Sequence, residues 1–331
     1  MHLIRSRTQL ARARRDGAAT IGNFDGIHRG HQAMLARAGE HPAAREAGLG
    51  VVTFEPRPVD YFLGDKAPGR VLPFRDKCHR LAEAGVDRMV NLHFDRALAA
   101  MAPEDFVREL LVDGLGLRYL LVGADFRYGH KRAGDVDQLR AEADRYGFEL
   151  DVMPTVAEEG ERISSTRIRE ALEAGDMRRV NRLMGRPYAI SGRVRRGRAL
   201  GRELGFPTAN LQVPENLAAR DGVWVARIHD GVADVADAVA SLGTRPTVDG
   251  RGRLLEVHLL DFDGDLYRRH LQVELRHHLR DEESFADTRS LTEQMHRDLR
   301  QCREWIARNA ASGDEKGAAV SGPRPSQTPE G

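Results

Sequence analysis

The stretch Thr20-Ile21-Gly22-Asn23-Phe24-Asp25-Gly26-Ile27-His28-Arg29-Gly30-His31 decides how the first half of this chain is read. It follows a short apolar run, Ala18 to Gly22, and leads into a helical pattern, His31 to Ala38. A strand, a glycine-bearing turn and a helix are therefore expected in that order. Gly22 and Gly26 give the turn backbone freedom and let a ligand approach the main chain closely. The helix start adds unpaired N–H groups and the positive end of the helix dipole, both of which favour an anion. His28 and His31, with Gly30 between them, can aim ring N–H groups at that anion, and Asn23, Phe24 and Asp25 complete a turn able to wrap a polyphosphate. The turn lacks the Lys-Ser/Thr of a Walker loop and the Gly-x-Gly-x-x-Gly of a dinucleotide fingerprint.

Outward from this turn the pattern repeats. Apolar runs at Leu49–Phe54, Met89–Leu92, Tyr119–Val122 and Leu150–Met153 alternate with helical stretches at Arg75–Ala84, Pro103–Val112, Val136–Tyr146 and Thr166–Leu172. Such alternation predicts βαβ units and a Rossmann-like α/β domain, its parallel sheet covered on both faces. Ligands of these sheets sit at the carboxyl ends of the strands. After Gly185-Arg186-Pro187 the character changes: runs at Gly222–Ile228, Val232–Leu242, Leu254–Leu260 and His270–Leu279 follow without crossover helices. They predict a small antiparallel β-barrel, with Asp263-Gly264 as a hairpin signal between the last two strands. Leu291, Met295, Leu299, Cys302 and Ile306 have the spacing of an amphipathic helix packed on that barrel. The expected divisions are 1–185, 186–310 and a tail, 311–331, whose Gly, Pro, Ser and charge predict disorder.

Composition narrows the partners. The 331 residues hold 51 Lys+Arg against 50 Asp+Glu, 41% hydrophobic residues and two cysteines. That length accommodates two domains at roughly 150 residues each. A net charge of +1 lacks the basic footprint of a general nucleic-acid binder. The cluster Arg193, Arg195, Arg196 and Arg198 is an RNA-binding alternative, but it has no interleaved aromatics for base stacking. No apolar run reaches the roughly 18 residues that span a bilayer. The Arg-rich start (Arg5, Arg7, Arg12, Arg14, Arg15) is not followed by the apolar core of a signal peptide, so a cytoplasmic protein with no membrane partner is expected. Cys78 and Cys302 lack metal or redox spacing.

Three further residue groups carry chemistry. In Ile163-Ser164-Ser165-Thr166-Arg167-Ile168-Arg169 the hydroxyls suit a helix N-cap. Arg169, one turn inside a helix start that already favours anions, is easier to understand with a phosphate there. In Gly205-Phe206-Pro207-Thr208-Ala209-Asn210, Thr208 and Asn210 alternate on an extended segment, so their oxygens face one way. Such a pair suits Mg²⁺, which keeps several waters and takes other ligands from substrate phosphates. In Leu254–Leu260, Leu255, Val257 and Leu259 share one strand face and leave Glu256, His258 and Leu260 on the other. On periodicity alone, Glu256 is either a solvated outer-face residue or a general base toward a hydroxyl. Asp261-Phe262-Asp263-Gly264-Asp265 fails as a calcium loop, because its glycine is fourth rather than sixth and position twelve is Gln272, so a hairpin turn is the better account.

Together these strings resemble the bacterial bifunctional riboflavin kinase and FAD synthetase family, from about Gly17 to Ile306. The His-x-Gly-His turn and the Ile-Ser-Ser-Thr-x-x-Arg segment are similar to the two signatures of nucleotidylyl transferases. Thr53-Phe54-Glu55-Pro56, Val122 to Gly129, Gly205 to Asn210 and Gly243 to Thr247 carry the rest of the match. The resemblance implies that the barrel phosphorylates riboflavin to FMN. It implies that the α/β domain then joins FMN to the AMP part of ATP and releases pyrophosphate. ATP, riboflavin and FMN follow as partners and Mg²⁺ as cofactor. By the same resemblance, His28 and His31 stabilise the ATP phosphates within the turn Gly22, Asn23, Phe24, Asp25 and Gly26. Ser165, Thr166 and Arg169 hold the outer phosphates, and Asp125 lies on the flavin side, although a loop cap accounts for Asp125 equally well. In the barrel, Thr208 and Asn210 hold Mg²⁺-ATP and Glu256 accepts the proton of the ribityl 5'-hydroxyl.

Three positions depart from the family pattern. Arg57 stands where the family has His in Glu-Pro-His-Pro, which bears on flavin contacts near that loop. Val248 replaces Phe, and Arg268 replaces a Gly whose loss stiffens a turn. The alternative of the same chemistry is a nucleotidylyltransferase for another phosphate ester with a non-catalytic barrel. Pro-Thr-Ala-Asn together with Glu256 speaks against it.

Overall fold

In each apolar run of the first half, successive side chains go to opposite sides of one parallel sheet. Strands β1 (His2–Ile4), β2 (Ala18–Ile21), β3 (Leu49–Glu55), β4 (Arg88–His93), β5 (Tyr119–Gly123) and β6 (Glu149–Met153) pair in the order β1-β4-β3-β2-β5-β6, every pair parallel. The computed structural model describes residues 1–10, 16–158, 160–196, 201, 204–229, 234–247 and 250–311. On one face Ala18, Val51, Met89 and Leu121 pack against Leu35 and Ala38 of the helix Arg29–Glu40 and Leu81 of the helix Phe74–Glu83. On the other, Ile21, Val52, Leu92 and Val122 meet Leu110 and Leu111 of the π-helix Phe106–Leu115 and Leu139 of the helix Val136–Tyr146. Burial on both faces is why these strands read as continuous apolar runs.

The sheet order reverses at β2. Strands β3 and β4 lie to one side of it and β5 and β6 to the other, so a crevice opens at the carboxyl ends of β2 and β5, where α/β sheets bind ligands. Strand β1 was not expected: three residues are too few to show a period, and pairing with β4 makes them a strand. The helix expected at Pro103–Val112 is a short turn, Pro103–Asp105, continued by the wider π-helix and stopped by Gly116 at φ 55°. A small ribbon, β7 (Ala157–Glu158) with β8 (Glu161–Arg162), precedes the helix Ser165–Ala174.

Of the described residues, those within 1–185 and 213–220 cluster as one compact unit, and those within 186–212 and 221–311 form a second. In the second unit β9 (Ala189–Arg195), β10 (Ala209–Gln212), β11 (Gly222–His229), β12 (Asp234–Thr247), β13 (Gly250–Leu259) and β14 (His270–Arg280) close a barrel in the order β10-β13-β12-β11-β14-β9. Its pairs are antiparallel, and the cross-strand partners Trp224–Ala240, Leu242–Leu255 and Ile190–Val273 are fully buried. The helix Thr288–Ala311 lays Cys302, Leu299 and Ile306 against Val225 and Leu260, the packing its spacing predicted.

Asp263-Gly264 does not turn a hairpin. Strand β13 pairs with β10 and β12, whereas β14 pairs with β11 and β9. A turn dipeptide reports only local reversal, and barrel closure decides which strands meet. Asp261 and Arg268 in that connection are left-handed, at φ 51° and 66°. Strand β9 was also unforeseen, whereas β10 falls on the extended segment expected at Asn210. The basic stretch 197–200 with 202–203, Val248, and the tail from 312 lie outside the described residues.

Candidate functional site

The turn after β2 is built on left-handed backbone at Phe24 (φ 47°), Gly26 (95°) and Ile27 (43°). Two of these are not glycine, a conformation that costs about 1–3 kcal/mol each and persists where the surroundings enforce it. Here burial does so: Phe24 is 0% exposed and Ile27 2%. His28 caps the helix Arg29–Glu40, its Nδ1 accepting the backbone N–H of His31 at 3.3 Å. A neutral His28 ring with Nδ1 as acceptor carries its proton on Nε2. The His28 and His31 rings stack with centroids 3.7 Å apart, and Phe24 backs His31 at 4.8 Å. A Cβ on Gly30 would approach the His28 ring to 3.2 Å, which explains the glycine between the two histidines.

The second signature meets the first. Ser164 caps the helix Ser165–Ala174 by accepting from Arg167 N, and Ser165 Oγ donates to the Asp25 carbonyl at 2.7 Å. Two helix N-termini thus converge on one cavity of about 730 Å³, lined by Gly22, Asn23, Asp25, His28, His31, Ser165, Thr166 and Arg169 among others. Both starts favour an anion. The cavity lies at the carboxyl ends of β2, β3, β5 and β6, touching Ile21, Phe54, Gly123 and Met153. Its other lobe is aromatic, with Phe54, Phe62, Phe94, Phe106, Phe126 and Tyr128. Phe62 is 64% exposed on the helix Pro58–Leu63. The sequence reading missed this lobe, because its residues come from five separate segments. Asp125 also lines the cavity and pairs with Arg162, whose hydrogen bond and charge hold its carboxyl below the ordinary range.

Beneath the turn lies an ion network that the sequence did not reveal. Asp25 is 5% exposed. Its Oδ1 accepts the backbone N–H of Val71 at 2.9 Å, and its Oδ2 accepts Arg57 and Arg169, each at 2.8 Å. Arg169 Nε also donates to the Gly69 carbonyl at 2.6 Å. Arg57, the departure from the family pattern, is 2% exposed and turns into the interior rather than the cavity. It binds Asp60 through two nitrogens, at 2.6 and 2.9 Å, and the Pro68 carbonyl at 2.6 Å. Burial alone would lower the Arg57 pKa; the Asp60 hydrogen bond and the charges of Asp25 and Asp60 outweigh it and hold the pKa above the ordinary value. Arg70 adds links to Asp60 at 3.0 Å and to Glu55. Lys77, 5% exposed, donates to the Asn23 carbonyl and Thr53 Oγ1, each at 3.1 Å, and burial lowers its pKa.

In the barrel, register brings the second set together. Asn210 on β10 lies directly opposite Glu256 on β13, and Ser241 on β12 flanks Glu256 from the other side. Side chains so paired start about 5 Å apart. Thr208 stands two residues before Asn210, whose Nδ2 contacts Thr208 Oγ1 at 3.4 Å. Among the described residues no group of three His, Cys, Asp or Glu side chains is placed to hold a metal. Thr208 and Asn210 each carry a side-chain oxygen, the donor type that a hard cation such as Mg²⁺ accepts. Of the Arg-rich cluster, Arg193 Nε donates to the Arg268 carbonyl at 3.0 Å and Arg195 to Gln212 at 2.7 Å, while Arg196 lies over the Tyr267 ring.

A family model described as FAD synthetase matches residues 10–167, and one described as riboflavin kinase matches 184–306. The bifunctional riboflavin kinase/FMN adenylyltransferase of Escherichia coli (strain K12) is 43% identical over 307 residues, covering 92% of this chain and 98% of that protein. Its counterpart in Pseudomonas fluorescens is 42% identical over 94% of this chain and 99% of its own length. That of Haemophilus influenzae is 38% identical over 90% and 97%. A crystal structure described as a macrolide-efflux protein from Streptococcus pneumoniae superposes with a TM-score of 0.74 at 28% identity, over 92% of this chain and all of that one. Among the described residues no helix is long and apolar enough to cross a membrane. With two family models in tandem and relatives matched along nearly their whole length, the chain belongs to the bifunctional riboflavin kinase/FMN adenylyltransferase family.

Proposed function

We propose that this chain converts riboflavin to FMN in the barrel and FMN to FAD in the α/β unit, with the two activities divided near residue 185 and the kinase part ending near 310. The observation that supports the reading is the register of Asn210 opposite Glu256, which puts a carboxylate beside the Asn210 amide. Glu256 accepts the proton of the ribityl 5'-hydroxyl as that oxygen attacks the γ-phosphorus of ATP, and ADP leaves. Thr208 and Asn210 would hold Mg²⁺ with the phosphates; when bound, the ion neutralises their developing charge. In the α/β unit a phosphate oxygen of FMN attacks the α-phosphorus of ATP, and pyrophosphate leaves. His28 Nε2–H and His31 stabilise the charge on the oxygens. Ser165, Thr166 and Arg169, with the two helix starts, hold the outer phosphates. The aromatic lobe takes the isoalloxazine ring, with Asp125 at its edge. Asp25, with both oxygens engaged by protein donors, acts through Arg169 and the turn.

Incubation with riboflavin, ATP and Mg²⁺ should yield FMN and then FAD. Glu256→Gln should abolish FMN formation while leaving conversion of supplied FMN to FAD. Adenylyl transfer to another phosphate ester, with FMN formation untouched by Glu256→Gln, would sink the kinase assignment. The RNA-binding alternative predicts steeply salt-dependent RNA binding without ATP turnover.

A further inference from the structure

We infer that His258 is a positioning residue of the kinase site: its ring sets the backbone of Pro207 and Thr208, and through it the Thr208 hydroxyl that faces Mg²⁺-ATP. This rests on the kinase reading above. The β10–β13 ladder ends at Ala209 opposite Val257. Thr208 and Pro207 therefore lie one and two residues outside the strand that carries Asn210, and Pro207 has no N–H to donate. Without a ladder partner their position needs another restraint. His258, two residues beyond Glu256 on the same strand face, supplies it: its Nδ1 lies 2.9 Å from the Pro207 carbonyl oxygen. A carbonyl only accepts, so the proton is on His258 Nδ1 and this tautomer is imposed by the contact.

The ring is itself held. Phe206, 5% exposed, packs edge-on against His258 at 5.4 Å and against His296 of the C-terminal helix at 5.0 Å. The Phe206 backbone N–H donates to the Gly201 carbonyl at 2.7 Å. One strand thus carries both the carboxylate, Glu256, and the donor that fixes the Thr208 segment against it. Separation of the two by even about 1 Å is the kind of error that costs phosphoryl transfer heavily.

The test exploits side-chain geometry. An asparagine places its Nδ2 near the position of a histidine Nδ1, a glutamine carries its donor one carbon further, and a leucine has none. His258→Asn should keep the kinase KM for Mg²⁺-ATP within about threefold of wild type. His258→Leu and His258→Gln should raise it about tenfold, with a smaller change in kcat. Conversion of supplied FMN to FAD stays at the wild-type level in all three. Amide hydrogen exchange in the peptide 205–212 of ligand-free protein should be faster in the Leu and Gln variants and near wild type in Asn. Equal impairment of Asn and Gln, or a Leu variant with wild-type KM and exchange, overturns the inference. If His258→Leu unfolds the barrel, judged by Trp fluorescence, the Asn–Gln comparison decides alone. Absence of FMN formation in the wild-type protein itself would instead defeat the kinase reading.

Discussion

Arg57→Met tests whether the network under the nucleotide turn holds the α/β unit together. The wild-type guanidinium is 2% exposed and engages Asp25 at 2.8 Å, Asp60 at 2.6 and 2.9 Å and the Pro68 carbonyl at 2.6 Å. Removing one partner of a buried ion pair costs about 3–5 kcal/mol because the other charge stays buried. Each abandoned carboxylate keeps a second guanidinium, Arg169 on Asp25 at 2.8 Å and Arg70 on Asp60 at 3.0 Å. The loss should therefore fall at the lower end, about 3 kcal/mol. With a urea m-value of roughly 2–3 kcal/mol/M, the midpoint of this unit should drop by about 1 M. The chain offers a clean assay: both tryptophans, Trp224 and Trp305, lie in the barrel unit. Trp fluorescence follows the barrel, while the rest of the far-UV circular dichroism change follows the α/β unit. Arg57→Lys should recover little, since an ammonium cannot reproduce the fork that spans two carboxylates. A dichroism midpoint within about 0.3 M of wild type, or an equal shift of the fluorescence transition, would refute the reasoning.

Replacing His28 or His31 with Ala should slow FMN adenylylation about 100-fold, roughly 3 kcal/mol of transition-state stabilisation, and leave riboflavin phosphorylation unchanged. Chromatography of the flavin products checks this, and a parallel loss of both activities would contradict it. Lys77 has a lowered pKa in the folded state, so folded protein releases that proton at lower pH than the unfolded chain does, near 10.4. Stability of the α/β unit should rise with pH in the window below that value, and Lys77→Met should remove the rise; an identical slope in urea titrations would be the failing result. Arg268→Gly relieves a left-handed residue at φ 66°. Relief of about 1–2 kcal/mol against an entropy cost of about 0.5–1 leaves a gain of about 0.5–1 kcal/mol. The Trp-monitored midpoint of the barrel should rise by a few degrees, and a fall would count against the strain.

Much of the α/β half was legible because its signals are local. The turn Gly22–Gly26 needs particular backbone angles, the helix start needs a cap, and Gly30 needs to clear the His28 ring. The helix Val136–Tyr146 shows its full period between an Asp cap and a left-handed Gly147. In the barrel the same local reading erred at Asp263-Gly264, since a dipeptide carries no information about which strands a closing sheet will pair. It also overlooked β9, a strand held by its hydrogen bonds to β10 and β14.

The sequence by itself determined the two helix-start segments proposed to bind phosphate, the division into a parallel sheet and a barrel, and the residue types able to do the chemistry. Those follow from backbone preference and periodicity within a few residues. Only the tertiary structure decided that Glu256 stands opposite Asn210, 46 positions away, and that Asp25 is shared by Arg57 and Arg169, at separations of 32 and 144 residues. It also decided that Arg57 points into the interior rather than the cavity, and that His258 takes the carbonyl of Pro207. Strand register and buried charge pairing arise from contacts between segments brought together by burial of apolar surface, a non-directional force that leaves no mark on the spacing of the residues it unites.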